Sequence, residues 1–165
     1  MQENDPLYSL AEIAIAIAGF AAIVVAFKRT ADGGWKASDA DHFLGMLVHS
    51  IAAVFFCLLP SALDVFIEAP RNVWSVASTL LGIQVLLHLF LIFRLPSSGR
   101  YTRMLLVVGV MVAGLQAYNA FGSGGMMAAY GPYLIGVLWH IFHAVGLFVS
   151  LVWVHAADIE TNGDG

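Results

Sequence analysis

A chain of 165 residues that is 60% hydrophobic and only 11% charged carries less than half the charged share of a soluble domain, about 25%. With a mean hydropathy of +0.84 it reads as an integral membrane protein whose first partner is the lipid bilayer. The formal charge of −4, resting mainly on acids at the two ends, argues against nucleic acid as a partner, and the lone Cys57 excludes a disulfide framework or a thiolate metal cluster.

The opening stretch MQENDPLYSL is acidic rather than basic, so it lacks the charged lead of a secretory signal peptide and the first helix is expected to stay in the mature protein. Five apolar segments follow: Tyr8 to Phe27, Phe43 to Ile67, Val73 to Phe93, Met104 to Phe121 and Tyr133 to Val154. Each approaches or exceeds the roughly 20 residues that cross a hydrocarbon core. The runs are unbroken rather than alternating, and a lone segment in lipid satisfies its backbone only as a helix. The fold class is therefore all-α, a five-helix transmembrane bundle forming a single domain over residues 1–165.

Orientation follows from seven Lys and Arg residues. Lys28, Arg29 and Lys36 lie in the first loop and Arg94, Arg100 and Arg103 in the third, whereas the second loop holds Arg71 alone. The positive-inside bias places the first and third loops in the cytoplasm, with the N-terminus outside and the C-terminus inside.

In the first segment, Ala14, Ala18 and Ala22 recur at four-residue spacing beside Gly19, which predicts a seam for close helix packing. Glu12 is different in kind, because a carboxylate one turn inside the bilayer needs water, a proton or a partner. The loop that follows, with Asp32, Asp39 and Asp41 among three bases, reads as a solvated mixed-charge stretch, and Ser38 or Asp39 is the expected cap of the second helix.

The second segment carries His49, Pro60 and Asp64 on one helical stripe. Pro60 removes a backbone hydrogen bond and leaves the Phe56 carbonyl for a neighbour, water or an ion. The APRN stretch, Ala69 to Asn72, reads as a tight turn. On the third segment Ser75, Ser78, Thr79 and Gly82 form a small polar stripe suited to packing, with Gln84 and His88 roughly opposite. The fourth has Gly109 and Ala113 at packing spacing, then Gln116, Tyr118 and Asn119. The glycines of GSGGMMAAYGP read as a flexible connection, and the fifth segment aligns Gly136, His140, His143 and Ser150.

Depths counted from the segment ends at about 1.5 Å per residue put Glu12, Asp64, Gln116 and His140 in the outer third. The same count puts His49 and His88 about 8–9 Å from the inner surface, with His143 near the middle. Three functions compete on this basis. The first is an oligomeric channel or transporter for a small cation or proton, with Glu12, Asp64, Gln116, Asn119 and His140 on the path and Pro60 as its kink. The second is a structural or regulatory accessory protein in which these groups only fix helix register. The third is a redox subunit in which His49, His88 and His143 hold haem b or a metal ion. Small-residue seams beyond what one bundle needs point to a homo-oligomer. No soluble-enzyme motif occurs: GxGxxG, a P-loop, a CxxC pair and a GxSxG elbow are all absent, and no enzymatic activity is expected.

The stretch LAEIAIAIAGFAAIVVAF, the basic loop after it, LLPSALD in the second helix and NVW at the head of the third resemble a family of small uncharacterised bacterial multi-spanning membrane proteins. The resemblance covers about the first half of the chain. It implies a bacterial inner (cytoplasmic) membrane location and brings no activity or functional residue with it.

Overall fold

The structure, a computed structural model, describes the backbone of residues 5–31, 37–94, 100–122 and 129–162 and the side chains of 6–27, 40–94, 104–122 and 129–152. Five helices follow one another: α1 (Asp5–Ala31), α2 (Ala37–Asp64), α3 (Pro70–Arg94), α4 (Arg100–Phe121) and α5 (Tyr130–Asn162). Each contains a stretch long and apolar enough to cross a membrane, and no strand occurs among the described residues. The all-α, five-helix class holds. Large apolar side chains such as Phe20, Phe90, Met111 and Phe142 stay exposed, as expected of a surface solvated by acyl chains rather than water.

Helix ends differ from the apolar segments because helix formation does not stop where hydrophobicity does. The α2 helix begins at Ala37, so Ser38 and Asp39 are part of its first turn rather than ahead of it as caps. It stops at Asp64, and the amides of Phe66 and Ile67 turn back onto the Leu63 carbonyl at 2.9 and 3.0 Å. Residues 70–72, expected in a turn, open α3 instead. Proline suits a first helical position because its missing N–H would have no partner there, and the Ala69 carbonyl accepts from Asn72 and Val73. Likewise α5 starts at Tyr130, three residues before the apolar run, with Pro132 inside its first turn. The glycine-rich stretch at 123–128 lies outside the described residues, as do the side chains of the first loop's acids at 32 and 39.

The chain divides into two compact units. The first, Met1–Leu7 with Phe56–Trp139, is built on α3 and α4 packed together. Their antiparallel register is read from Ser75 bonding the Ala120 carbonyl, Gly82 facing Gln116 and Gly109 facing Leu89. The small polar stripe of α3 is that contact face. Gly136 of α5 fits so closely that a Cβ there would meet Leu81 Cδ2 at 2.5 Å and Gln116 Nε2 at 2.8 Å.

The second unit, Tyr8–Phe55 with His140–Gly165, joins α1, most of α2 and the rest of α5. Its core has two thin apolar layers. One is Ala14, Ala53 and Ile141; the other is Ala21, Met46 and Ala144. The seam of α1 therefore runs through Ala11, Ala14 and Ala21, all buried, while Gly19 and Ala22 are exposed and Ala18 is half-buried. A strict four-residue repeat advances 400° on a helix turning 100° per residue. Each step drifts about 40°, and Ala22 has left the packed face.

Candidate functional site: a buried imidazole cluster

On α2 the core face of the second unit is written at positions 46, 49 and 53. Met46 and Ala53 belong to the two apolar layers, and His49 stands between them at the seam position that packing alone would give to an aliphatic residue. On α5, His140 and His143 precede Ile141 and Ala144 of those same layers by one residue each. Two apolar layers thus bracket three histidines. His49, His140 and His143 are buried to 1%, 0% and 4% exposure, which removes them from bulk water.

Their rings touch. His49 Nδ1 and His140 Nδ1 lie 3.0 Å apart in a hydrogen bond. Such a bond exists only if one nitrogen carries a proton and the other offers its lone pair, so the two rings differ in protonation at this atom. His49 also stacks on His143, with ring centroids 4.4 Å apart and planes 18° from parallel. Its centroid is 5.3 Å from that of His140. One imidazole therefore presents an edge to one neighbour and a face to another.

This corrects the depth grouping, which placed His140 with the outer residues and His49 near the inner surface. Depths had been counted from the apolar segments, yet α2 starts six residues earlier and α5 three residues earlier. Counted from the helix ends, His49 lies about 18 Å along α2 and His140 about 15 Å along α5. Both are mid-helix.

The remaining residues expected at a site are distributed as follows. Glu12, in the second unit, is exposed on the outer face of α1, and Asp64, in the first, is exposed at the end of α2. Pro60 is buried, and the Phe56 carbonyl it frees accepts a hydrogen bond from the Tyr133 hydroxyl at 2.6 Å. A neighbouring side chain has taken that acceptor. Gln116 is fully buried and donates through Nε2 to the Pro132 carbonyl at 2.7 Å. Its Oε1 has no hydrogen-bond partner among the described residues. Asn119 is employed on both sides of its amide: Nδ2 reaches Ser78 Oγ and the Ala129 carbonyl at 2.7 and 3.1 Å, and Oδ1 accepts from the Ala129 amide at 2.9 Å. The side chain is a clasp between the end of α4 and the approach to α5. His88, on α3, is half-buried in the first unit.

Of the three histidines expected to share a ligand sphere, His49 and His143 meet in the second unit. His140 joins them there although depth had assigned it elsewhere. The legible signal was the seam spacing of 46, 49 and 53 on α2 against adjacent seam positions on α5. Tyr133 was missed as well, and its signal was that the carbonyl opened by Pro60 needs a donor.

No family model, curated protein or solved structure matches this chain.

Proposed function

We propose that this multi-pass membrane protein takes up and passes a small cation, using the imidazole cluster of His49, His140 and His143 as its intramembrane station. The single observation that carries this reading is the 3.0 Å contact between His49 and His140 well inside their apolar spans, bracketed by apolar layers. A polar group inside a membrane bundle costs free energy, and a register-fixing role needs one such pair, not two imidazoles gathered on a third. The reading moves the expected path away from Asn119, whose amide is committed to the fold, and from the exposed Glu12 and Asp64.

The stacked arrangement supports a bare ion over haem for these three residues. Rings in face-to-face contact at 4.4 Å leave no room between them for a porphyrin, whereas an ion needs only converging nitrogen edges. Flux into vesicles containing the purified protein, assayed separately for K+, Na+, H+ and Zn2+, tests the reading. At least one of these is expected to move faster than in protein-free vesicles, with at least tenfold loss in His140→Gln. Flux at the protein-free level for all four, or full flux in that variant, overturns it.

A further inference from the structure

Within that reading, the chemistry of the cluster selects the cation, and we infer that His49, His140 and His143 bind a single divalent transition-metal ion of the imidazole-seeking class, of which Zn2+ and Co2+ are members. The donor set comes first. In the second unit the described carboxylates are Glu12 and Asp41, and both are exposed. Alkali ions, Mg2+ and Ca2+ are held by oxygen ligands, and the cluster offers nitrogen. Neutral imidazole gives no charge to offset the loss of hydration. It holds a cation in a low-dielectric setting only through lone-pair donation, which borderline transition metals accept and hard cations do not.

Geometry agrees. Two nitrogens each about 2.0–2.1 Å from a tetrahedral ion stand about 3.3–3.4 Å from each other. The Nδ1 atoms of His49 and His140 are 3.0 Å apart; for both to bind, the ring that carries the Nδ1 proton moves it to its own Nε2, and the two rings part by about 0.3 Å and turn so that their lone pairs converge on the ion. Ligand atoms of His49 and His143 lie within 4.8 Å of one another, and the two rings stack, so a third imidazole stands beside the pair. Three protein ligands leave a fourth position open for water, whereas a structural site closes all four. A site that must release its ion needs that opening.

The test uses the full chain without a histidine tag, purified in detergent. Titration with Co2+ is expected to raise the visible absorption of a tetrahedral nitrogen-ligated ion, saturating at one ion per chain and bleached by equimolar Zn2+. His140→Gln and His49→Asn are each expected to weaken binding at least tenfold, with monodispersity and helical circular dichroism confirming that they fold. His42→Gln, which changes a histidine outside the cluster, should bind as wild type does. Absence of a saturable site in the wild-type chain, or binding unaffected by both cluster variants, overturns the inference. If a variant fails to fold, the wild-type Co2+ spectrum decides alone: an oxygen-ligated, octahedral spectrum contradicts an imidazole site. H+ or K+ flux without metal binding sinks this inference and leaves the proposed function standing; metal binding without flux does the reverse.

Discussion

Asn119 in the first unit and His49 in the second are both about 1% exposed in a membrane-spanning helix, yet they differ in what their polar atoms do. Asn119 makes three bonds, two of them to the backbone of Ala129, and so closes the connection into α5. His49 instead bonds one histidine and stacks on another. The first unit spends its polar side chains on main-chain groups that the fold leaves open: Tyr133 on the Phe56 carbonyl, Gln116 on that of Pro132, Ser75 on that of Ala120. In the second unit, Ser150 does the same for the Gly146 carbonyl, but His49 bonds His140 and stacks on His143 between apolar layers. Burial alone therefore does not distinguish a structural polar residue from a functional one. The identity of the partner does.

Substitutions can break that comparison. The largest effect on stability is expected from Gly136→Ala in the first unit. The new methyl would sit 2.5 Å from Leu81 Cδ2 and 2.8 Å from Gln116 Nε2, and overpacking of this kind costs about 1–3 kcal/mol. Reversible unfolding in mixed detergent should register it, and a wild-type midpoint would mean that α5 is not seated on Gln116. Next comes Asn119→Ala, which leaves Ala129 and Ser78 without their partner. Buried interhelical bonds in membranes average about 0.6 kcal/mol each, so the loss should be about 1–2 kcal/mol. Tyr133→Phe sharpens the same point on a smaller scale, with about 1 kcal/mol expected for one donor withdrawn from the carbonyl that Pro60 exposes. A neutral result there would mean that water replaces the hydroxyl.

The sequence made the architecture legible because each helix announces itself by length and apolarity, properties local to its own residues. Pro60 likewise announced an open carbonyl at Phe56 through backbone chemistry alone. The site was only partly legible. His49, His140 and His143 were all visible as polar groups too costly to be incidental, but which of them meet depends on helix ends and pairwise register. Apolarity does not mark where α2 begins, since Ala37 to His42 continue the helix through a polar stretch. That offset moved His49 from near one surface to mid-helix. Glu12 and Asp64 show the opposite limit. Charge is conspicuous in a membrane sequence, while the face it occupies is set by which neighbours α1 and α2 bury, and both residues lie on exposed faces.

The double variant His49→Leu, His140→Phe, measured for both stability and cation flux, tests the role of the imidazole cluster most directly. Replacing both members of a buried polar pair by apolar groups of similar volume is close to neutral. The expected result is an unfolding free energy within about 1 kcal/mol of wild type together with loss of flux to the protein-free level. A variant that moves cations at the wild-type rate per folded molecule, but unfolds far more readily, would make the histidines part of the scaffold, as Asn119 is, and contradict the account.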